Sequence, residues 1–427
     1  MALIDREPDF KTFDDAAPAT LPSDTAQAAR KSGPDLFRLG QALRALARDY
    51  DAGKGTTPAT TTPRPGLLKV ASADLPADVK AGADFVCDGT NDQAEITAAL
   101  VKASRPADGF GGQGYVGVEL VGPNFYVGHD GATSILMHPS THLRGAGDGT
   151  LIQPMYPSAI DRGAIQLVNA NVTRSRVSDL TIARANASAF NGHGIKYVGA
   201  GTGDTYELKT GNDPFNRISG VNVHKAAGKG IWCTGSSGGS REMQIFECVL
   251  FNCFEQGLLV DSSSDSQISD IRATGGSAFP GIELGGGNTR LANSKVYYRG
   301  NTDGSTTGAD GIKISSSRCE VTGCAAQDCG GYGLNVSSAD ATVTGFLADS
   351  NSAGFRIAGA GVFTGLRATS RAGGRWPQTT GLEFAGTPQV LLSAFVTVPS
   401  GGTHVVGAPG ANSYARVVRD GTTLFSA

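Results

Sequence analysis

Three acidic residues in the second half of the sequence are candidates for acid–base chemistry on a sugar chain: Glu283, Asp303 and Asp310. Cleavage of a glycosidic bond needs two carboxyl groups roughly 5–10 Å apart, one as proton donor and the other as base or nucleophile. A lyase instead needs a base and a cation that stabilises the enolate, a role open to Lys313 and Arg299. If the chain is an enzyme, these residues predict a polysaccharide lyase or a glycoside hydrolase.

A second group of residues suits the binding of a sugar rather than its cleavage. Trp232 and Trp376 each offer a flat apolar face on which a sugar ring stacks. Lys313, Arg371 and Arg375 are cations suited to the acidic groups of a polysaccharide. The alternative for each tryptophan is that a neighbouring subunit or a loop covers it.

A repeated tetrad of one glycine and three mostly apolar residues positions several of these side chains. The glycines of its eight copies are Gly194, Gly230, Gly257, Gly281, Gly311, Gly333, Gly354 and Gly381. Successive copies are separated by 36, 27, 24, 30, 22, 21 and 27 residues. Steps this short and regular are typical of a stacked solenoid. Because each unit is too short to hold a helix between strands, the alternation of apolar and variable positions predicts a β-solenoid.

The middle residue of each tetrad is expected to point away from the core, because successive side chains on a strand alternate between its two faces. Trp232, Glu283 and Lys313 occupy this outward column. The column also has a purely structural interpretation, in which a ladder of charges keeps one β face soluble. The members of that ladder are Lys196, Glu283, Lys313, Arg356 and Glu383.

A second repeated word, which joins Ser or Thr to Gly or Asp between apolar residues, lies between the tetrads. Ser219-Gly220 and Ser269-Asp270 are examples. Two out-of-phase words in each period predict at least two strands per coil. We expect the tetrad glycines and these pairs to lie at the bends where the backbone changes sheet, since such residues favour turns.

The segment before the repeats carries a more specific pattern. Asp88-Gly89-Thr90 precedes a short helical stripe, and strands with Gly-Pro and Gly-x-Gly turns follow it. This succession resembles the opening of the pectate-lyase-like right-handed parallel β-helix family, which is found in many bacteriophage tailspikes. The resemblance implies an all-β, single-stranded right-handed parallel β-helix. It also implies a short N-terminal helix that caps the open end of the solenoid and protects its strand edge.

This family contains lyases, hydrolases, epimerases and non-catalytic adhesins, so the resemblance does not select an activity. Gly192-His193-Gly194 and Asn301-Thr302-Asp303 are similar to polygalacturonase motifs, but their order along the chain is inverted. The Asp-Asp pair that accompanies those motifs does not occur in the repeats. We therefore interpret both strings as chance products of a glycine-rich repeat.

The sequence divides into four segments. Residues 1–53 are predicted to hold a helix with heptad-like spacing that attaches the chain to a virion and sets a trimer register, and 54–65 form a Thr/Pro linker. Residues 66–398 are the predicted β-helix, and 399–427 are a C-terminal β cap built on a hairpin. Fewer than three heptads cannot hold chains together unaided, so packing of the helix on its own domain is the alternative.

Composition restricts the partners. Lys+Arg total 36 and Asp+Glu total 39, a net charge of −3 that does not favour binding to nucleic acid, and no apolar run is long enough to span a membrane. The seven cysteines are interpreted as buried core residues, so neither a metal nor any cofactor is expected. The start of the sequence lacks the apolar stretch of a secretion signal, which predicts synthesis in the host bacterial cytoplasm and a final location in the virion.

Together these features predict a virion spike or tail-associated protein that binds host cell-surface polysaccharide. The resemblance to tailspikes and the short heptad pattern predict a homotrimer, with other virion proteins contacting residues 1–53. Two alternatives stay open. One is a polysaccharide depolymerase on the same β-helix, and the other is a free bacterial polysaccharide lyase, which the missing secretion signal disfavours.

Overall fold

The computed structural model describes residues 67–104, 117–138, 140–168, 175–186, 188–199, 216–235, 240–261, 263–276, 278–300, 309–419 and 422–426. The predicted helical segment 1–53 and the linker 54–65 lie outside the described residues. So do Asp303 and most of the loops 199–217 and 299–310.

Three ladders of parallel strands form the three faces of a solenoid. The first and second faces are continuous around a corner within one 21-stranded sheet, and the third face is an 11-stranded sheet. A complete coil contributes a strand to each face in turn, so it holds three strands where the repeated words predicted at least two. The predicted all-β parallel solenoid is confirmed.

The strands are grouped here by face. Strands of the first face are Leu68–Ala71, Gly117–Val121, Gln244–Phe246, Gln267–Ser269, Arg290–Ala292, Glu320–Thr322 and Ala341–Thr344. Strands of the second face are Asn124–Val127, Val249–Phe251, Arg272–Thr274, Lys295–Tyr297, Ala325–Gln327 and Leu347–Asp349. Longer strands that serve both faces are His142–Pro154, Arg176–Ile182, Arg217–His224, Gly361–Thr369, Val390–Val396 and Tyr414–Arg419.

Strands of the third face are Ile135–Leu136, Gly163–Val168, His193–Gly199, Ile231–Gly235, Leu258–Asp261, Ile282–Gly285, Ile312–Ile314, Tyr332–Val336, Ala353–Ile357, Thr380–Phe384 and Thr403–Val406. The remaining strands are Phe85–Val86, Thr422–Ser426 and the pair Ser240–Arg241 and Ser263–Ser264. The described helices are Ala77–Lys80 and Gln93–Ala103.

The longer helix, Gln93–Ala103, packs on the first strands of the solenoid with Ile96 and Leu100 fully buried. Asp92 precedes it and accepts hydrogen bonds from two backbone N–H groups, those of Gly89 at 2.8 Å and Tyr126 at 2.7 Å. The predicted capping helix is therefore present. Of the helices in the described part of the chain, none has the length and apolar character needed to cross a membrane.

The core is a narrow stack of apolar side chains, and the first residue after each tetrad glycine forms one of its columns. Parallel pairing in register places Ile195, Ile231, Leu258, Ile282, Ile312, Leu334, Phe355 and Leu382 on successive coils. Each of these side chains has no exposed surface. Complete burial of one such side chain contributes about 1.5–3 kcal/mol, so the column is a main source of stability.

The Ser/Thr-Gly/Asp pairs lie at the corner between the first and second faces, as predicted. Their second residues adopt the left-handed backbone conformation, with φ of 62° at Gly220, 57° at Asp270 and 62° at Gly323. Glycine accepts this conformation without a steric cost, and aspartate tolerates it better than most residues. The local chemistry of the second word therefore determines where the chain turns.

The prediction that the tetrad glycines lie at bends is confirmed for Gly230, Gly257, Gly281 and Gly311, which lie at bends directly before strands of the third face, whereas the other four lie within strands. None of the eight has a positive φ. They instead leave space for the next coil: a Cβ at Gly194 would lie 2.5 Å from the carbonyl oxygen of Gly230, and one at Gly354 would lie 2.3 Å from that of Gly381. The repeat of glycine therefore reflects close packing between coils rather than a need for the left-handed conformation.

All seven cysteines lie in the described part of the chain, where they are buried and form no disulfide bond. The interpretation of these residues as small core side chains is confirmed. Burial raises the pKa of Cys233 to about 12, so this thiol stays protonated at neutral pH.

Strand pairing of the solenoid extends past residue 398, the predicted end of the β-helix. Thr403–Val406 pairs in parallel with Thr380–Phe384, and Tyr414–Arg419 pairs in parallel with Val390–Val396. Thr422–Ser426 then pairs antiparallel with Tyr414–Arg419, which is the hairpin that the sequence predicted.

Candidate functional site

The middle residues of the tetrads stack in register on the outer side of the third face. This third-face column consists of Gln166, Lys196, Trp232, Leu259, Glu283, Lys313, Asn335, Arg356 and Glu383. The sequence predicted the same column, without Gln166. The first half of the column is less exposed than expected for charges that keep a β face soluble, since Lys196 is 7% exposed and Leu259 is 9% exposed.

Glu283 and Lys313 form an ion pair on adjacent coils, with 2.8 Å between Nζ and Oε1. Gln256 also donates a hydrogen bond to Glu283 at 2.9 Å. Burial opposes ionisation of this carboxyl group, but the hydrogen bonds from Lys313 and Gln256 outweigh it and hold the pKa of Glu283 below its usual value. Glu283 is therefore a carboxylate at neutral pH.

Asp310 has the opposite environment. It is 6% exposed, and it accepts hydrogen bonds from the backbone N–H of Tyr332 at 2.9 Å and from the Asn335 side chain at 2.8 Å. Burial outweighs these bonds, and also the nearby charges of Lys313 and Arg356, so the pKa of Asp310 is raised. A buried carboxyl group with a raised pKa retains its proton more readily and suits the role of a general acid.

The structure thus brings two of the three predicted catalytic acids into one environment around Lys313. The cation contacts Glu283 directly and acts electrostatically on Asp310. Two carboxyl groups whose surroundings shift their pKa values apart are typical of an acid and a base with separate roles. Asp303, the third predicted acid, is outside the described residues.

The column continues into a second charged group. Arg356 pairs with Glu383, with 3.3 Å between Nε and Oε1, and the Tyr332 hydroxyl donates a hydrogen bond to the same carboxylate. Next to it, Oδ1 of Asn335 is buried and accepts no hydrogen bond from the described residues. An unpaired buried acceptor costs free energy, so a donor from a bound molecule would be stabilised there.

Trp232 is outward, as predicted, but its ring is occupied by the protein itself. The ammonium groups of Lys196 and Lys229 lie 4.2 Å and 4.3 Å from the ring centroid, and the His193 ring packs edge-on at 5.0 Å. Asp161 accepts from Lys196 at 2.8 Å and contacts His193 Nε2 at 3.0 Å. This arrangement is a packed cation–π cluster rather than a bare platform for sugar.

The predicted binding residues Arg371, Arg375 and Trp376 lie together in the loop 371–377. Arg371 pairs with Asp349 at 2.7 Å and with the buried carboxylate of Asp328. The backbone N–H of Arg375 also donates to Asp328 at 2.8 Å, and the guanidinium of Arg375 lies 5.8 Å from the Trp376 ring centroid. Both arginines therefore fasten the loop to the solenoid, and Arg371 is not a free ligand for an acidic sugar.

The interpretation of Arg299 as a lyase cation is wrong, because this side chain is completely buried. Its guanidinium donates to the backbone carbonyl oxygens of Cys253 at 3.3 Å, Gly275, Glu255 at 2.6 Å and Phe279 at 2.8 and 3.1 Å. Burial lowers the pKa of Arg299 to about 10, and the residue remains a cation at neutral pH. Arg299 links turns of successive coils and does not reach a substrate.

A groove of about 600 Å³ lies along the corner between the first and second faces. Its lining residues come from three successive coils and are Glu247, Val249, Asp270, Arg272, Asn293, Lys295 and Tyr297. Glu247, Asp270 and Asn293 are the left-handed corner residues, with φ of 54°, 57° and 50°. Parallel register stacks Arg272 directly beside Lys295 on the next coil. We call this feature the corner groove.

The charged groups of the corner groove are free of ion pairs, unlike those of the third-face column. Within the described part of the chain, Glu247, Asp270, Arg272 and Lys295 form none, and all four are exposed. Asp270 accepts a hydrogen bond from its neighbour Ser269 at 2.7 Å. Uncommitted charges of both signs in a concave site are available to a ligand, whereas paired charges mainly stabilise the fold.

Sequence reasoning missed the corner groove because it aligned only the tetrads for outward residues. Aligning the second word would have placed Glu247, Asp270 and Asn293 in one corner column. Arg272 and Lys295, each two positions after a corner residue, would then have fallen into a second outward column. The signal was present, but the groove depends on the angle between two faces.

The family described as "Right handed beta helix region" matches residues 207–367. A tailspike protein 2 domain of bacteriophage CBA120, described as enzymatically active, has a similar structure with a TM-score of 0.55 and 16% sequence identity. The similarity covers 78% of this chain and 50% of that one, so this chain spans half the length of the tailspike domain.

Two bacterial enzymes also match in structure. The A-module of the mannuronan C-5 epimerase AlgE4 from Azotobacter vinelandii has a TM-score of 0.48 and 15% identity, covering 77% of this chain and 96% of that one. The catalytic unit of an alpha-1,3-glucanase from Streptomyces thermodiastaticus has a TM-score of 0.45 and 14% identity, covering 81% and 68%. No curated protein matches this chain in sequence. The solenoid is a right-handed parallel β-helix. Of the three structures named here, the tailspike domain alone has a TM-score above 0.5, and its 16% identity supports the fold alone.

Proposed function

We propose that the protein is a virion spike or tail-associated protein that binds host cell-surface polysaccharide through the corner groove. The observation that carries this proposal is the set of exposed, unpaired charges in a concave site of about 600 Å³. The tailspike domain of bacteriophage CBA120, which shares the fold, gives it further support. The proposal includes attachment to other virion proteins through residues 1–53.

The corner groove suits an extended sugar chain better than a compact ligand. Equivalent positions recur every ~4.8 Å along the stack of coils, so a chain lying along the axis meets the same kind of contact repeatedly. Arg272 and Lys295 offer cations on adjacent coils for acidic groups. Glu247, Asp270 and Asn293 offer acceptors for sugar hydroxyl groups. The Lys295 ammonium lies 5.5 Å from the centroid of the Tyr297 ring, so cation and ring together form one side of the groove.

Replacing both Arg272 and Lys295 by alanine should weaken binding of the full-length protein to host polysaccharide by at least about tenfold, since two charged contacts are lost. Binding is measured by calorimetry or surface plasmon resonance on purified capsular polysaccharide and lipopolysaccharide. Arg290→Ala is the matched control, because Arg290 is exposed on the first face and pairs with Glu320 at 3.2 Å. Equal affinity of the double variant and the wild type would exclude the corner groove as the binding site.

The trimer is part of the same proposal. Val362, Leu391 and Tyr414 stack on adjacent coils of the first face, and they are 38%, 48% and 57% exposed. Large apolar side chains in a continuous column on a flat face are typical of a surface buried between subunits. Sedimentation of the intact chain tests this point, and a monomer at micromolar concentration would remove the trimer from the proposal.

A second candidate function is cleavage of the bound polysaccharide, favoured by the opposite pKa shifts of Asp310 and Glu283. In this scheme, Asp310 donates a proton to the leaving oxygen. Glu283 acts as the nucleophile or as the general base that activates water, and the ion pair with Lys313 keeps Glu283 ionised. The same residues allow a lyase reaction, in which Glu283 abstracts the proton next to the carboxyl group of an acidic sugar and Lys313 stabilises the enolate. Asp310 then protonates the leaving oxygen as the C–O bond breaks.

If the protein cleaves polysaccharide, Asp310→Asn should reduce the rate by at least about 100-fold, because the proton donor is lost. New reducing ends report hydrolysis, and ultraviolet absorbance of the unsaturated product reports elimination. Glu320→Gln on the exposed first face is the control. A wild type that binds polysaccharide but releases no product contradicts this second function and leaves the binding proposal intact.

The stability of Asp310→Asn gives a readout that does not depend on activity. A raised folded-state pKa means that the wild type loses stability as the pH rises through that pKa, whereas asparagine remains neutral. The unfolding free energy of the variant, relative to the wild type, should therefore increase as the pH rises above the usual carboxyl range. A difference that stays constant with pH would show that Asp310 is not a strained buried acid.

A further inference from the structure

Three large aromatic side chains are exposed near the corner that follows the second face. Phe254 is 53% exposed, Phe279 is 44% exposed and Tyr298 is 45% exposed. We call these residues the aromatic platform. Phe254 has a further interaction within the protein, so Phe279 and Tyr298 are the rings whose exposure requires an explanation, because exposed aromatic rings are unfavourable in water.

Arg299 holds the backbone of all three platform residues. The carbonyl groups of Cys253 and Glu255, on either side of Phe254, both accept hydrogen bonds from its guanidinium. The carbonyl of Phe279 accepts two more, and Tyr298 precedes Arg299 in the chain. A single buried cation thus fixes the positions from which three exposed rings project, and rigid positioning lowers the entropic cost of binding a ligand.

Tyr298 provides a second, independent observation. Its backbone is left-handed, with φ of 58°, a conformation that a bulky residue adopts only with strain. The equivalent corner positions on the two preceding coils hold Asn252 and Gly275, which suit this conformation better. Strain retained at an exposed position is typical of a residue kept for binding rather than for folding.

The aromatic platform adjoins the corner groove through its neighbour Tyr297. The rings of Tyr297 and Tyr298 pack edge to face, with centroids 5.5 Å apart and an angle of 74° between their planes. Tyr297 itself lines the groove. A ligand that occupies the groove can therefore extend across the second face onto the platform.

We propose that the aromatic platform binds the apolar faces of pyranose rings of the same polysaccharide whose polar and acidic groups occupy the corner groove. This inference rests on the proposed function and adds a class of substrate. The substrate is a polysaccharide that contains both acidic residues and sugars presenting a flat C–H face. A second copy of the chain would match the platform less well, because the adjoining groove is lined by uncompensated charges that would be costly to bury.

Replacing Tyr298 by asparagine separates binding from folding. We expect the full-length variant to bind host capsular polysaccharide or lipopolysaccharide at least about tenfold more weakly, through loss of ring stacking. Its melting temperature should equal or exceed that of the wild type, because asparagine tolerates the left-handed conformation. Phe279→Ser should weaken binding in the same direction, whereas Val101→Asn, at an exposed apolar residue of the helix Gln93–Ala103, should leave it unchanged.

Three results would overturn the inference, and they are distinguishable from failure of the proposed function. Unchanged affinity of both platform variants, alongside weaker binding of the Arg272/Lys295 variant, would remove the platform and keep the groove. A change of sedimentation behaviour with unchanged affinity would make the platform a contact between copies. Absence of polysaccharide binding by the wild type itself would end the proposed function and this inference with it.

Discussion

Replacing Arg299 by methionine is expected to lower the free energy of unfolding by about 3–5 kcal/mol. The guanidinium has five N–H donors, and five hydrogen bonds join it to the carbonyl oxygens of Cys253, Gly275, Glu255 and Phe279. Methionine has a similar length but no donor, so these buried and partly buried oxygens would lose their partners. Each unsatisfied buried acceptor costs about 1–3 kcal/mol, which makes a large loss unavoidable unless water enters.

Arg299→Lys tests whether charge or geometry matters. Lysine keeps the positive charge but has three donors on one atom, which cannot reach carbonyl groups arranged around a planar fork. We expect this variant to lose most of the same stability. Arg290→Met, at an exposed arginine paired with Glu320, should cost less than about 1 kcal/mol.

The measurement is thermal and denaturant unfolding of the full-length protein followed by circular dichroism. Hydrogen exchange should show the loss concentrated in the turns around residues 253–255 and 275–279. An Arg299→Met variant that melts within one or two degrees of the wild type would contradict the view that Arg299 holds these coils together.

Substituting alanine for Gly354 is expected to cost about 3 kcal/mol, the upper end of the usual range for overpacking. The new Cβ would lie 2.3 Å from the carbonyl oxygen of Gly381 and 2.9 Å from the Cβ of Ala368. Both neighbours belong to the tightly paired next coil and cannot rotate away as a flexible side chain would. The two coils must therefore separate locally, which weakens the strand pairing on either side.

Gly345 provides the matched control, because it requires glycine for the other reason. Its φ is 65°, and a Cβ there would meet nothing closer than 4.0 Å. Gly345→Ala should cost only about 1 kcal/mol, from the left-handed backbone alone. Gly345→Asn should cost less still, because Asn293 occupies the same corner column with φ of 50°.

The measurement is the unfolding temperature of Gly354→Ala, Gly345→Ala and Gly345→Asn under the same conditions. A larger loss at Gly345 than at Gly354 would mean that the tetrad glycines are needed for backbone conformation, contrary to the close packing seen between coils.

The fold was predictable because the repeat aligns residues that touch. Parallel strands in register place equivalent positions directly above one another, so the alignment of the tetrads by itself predicts Ile231 over Ile195 and Lys313 beside Glu283. The outward position of Trp232 followed from the same alternation. The close packing of the tetrad glycines between coils was not predicted, because glycine serves one purpose at the corners and a second one in the tetrads.

The candidate site was predictable only in part. Alignment placed Glu283 and Lys313 together, but it gave no indication that Asp310 is buried beside Asn335. Arg299 follows two exposed or half-exposed tyrosines in the sequence and resembles a surface residue, yet it is completely buried. Arg371 looked free in a loop and is bound to two aspartates.

The amino-acid sequence by itself determined the solenoid, the residues inside it and the order in which outward side chains stack, because a short period with alternating polarity has one efficient way to bury its apolar positions. Only the tertiary structure decided which charges are paired and which are free. The ion pairs of the third-face column, the hydrogen bonds of Arg299 to four backbone carbonyl groups, and the corner groove all depend on residues that are distant in sequence. Corners and loops bring these residues together. That geometry depends on the angles between faces, which a one-dimensional repeat does not specify.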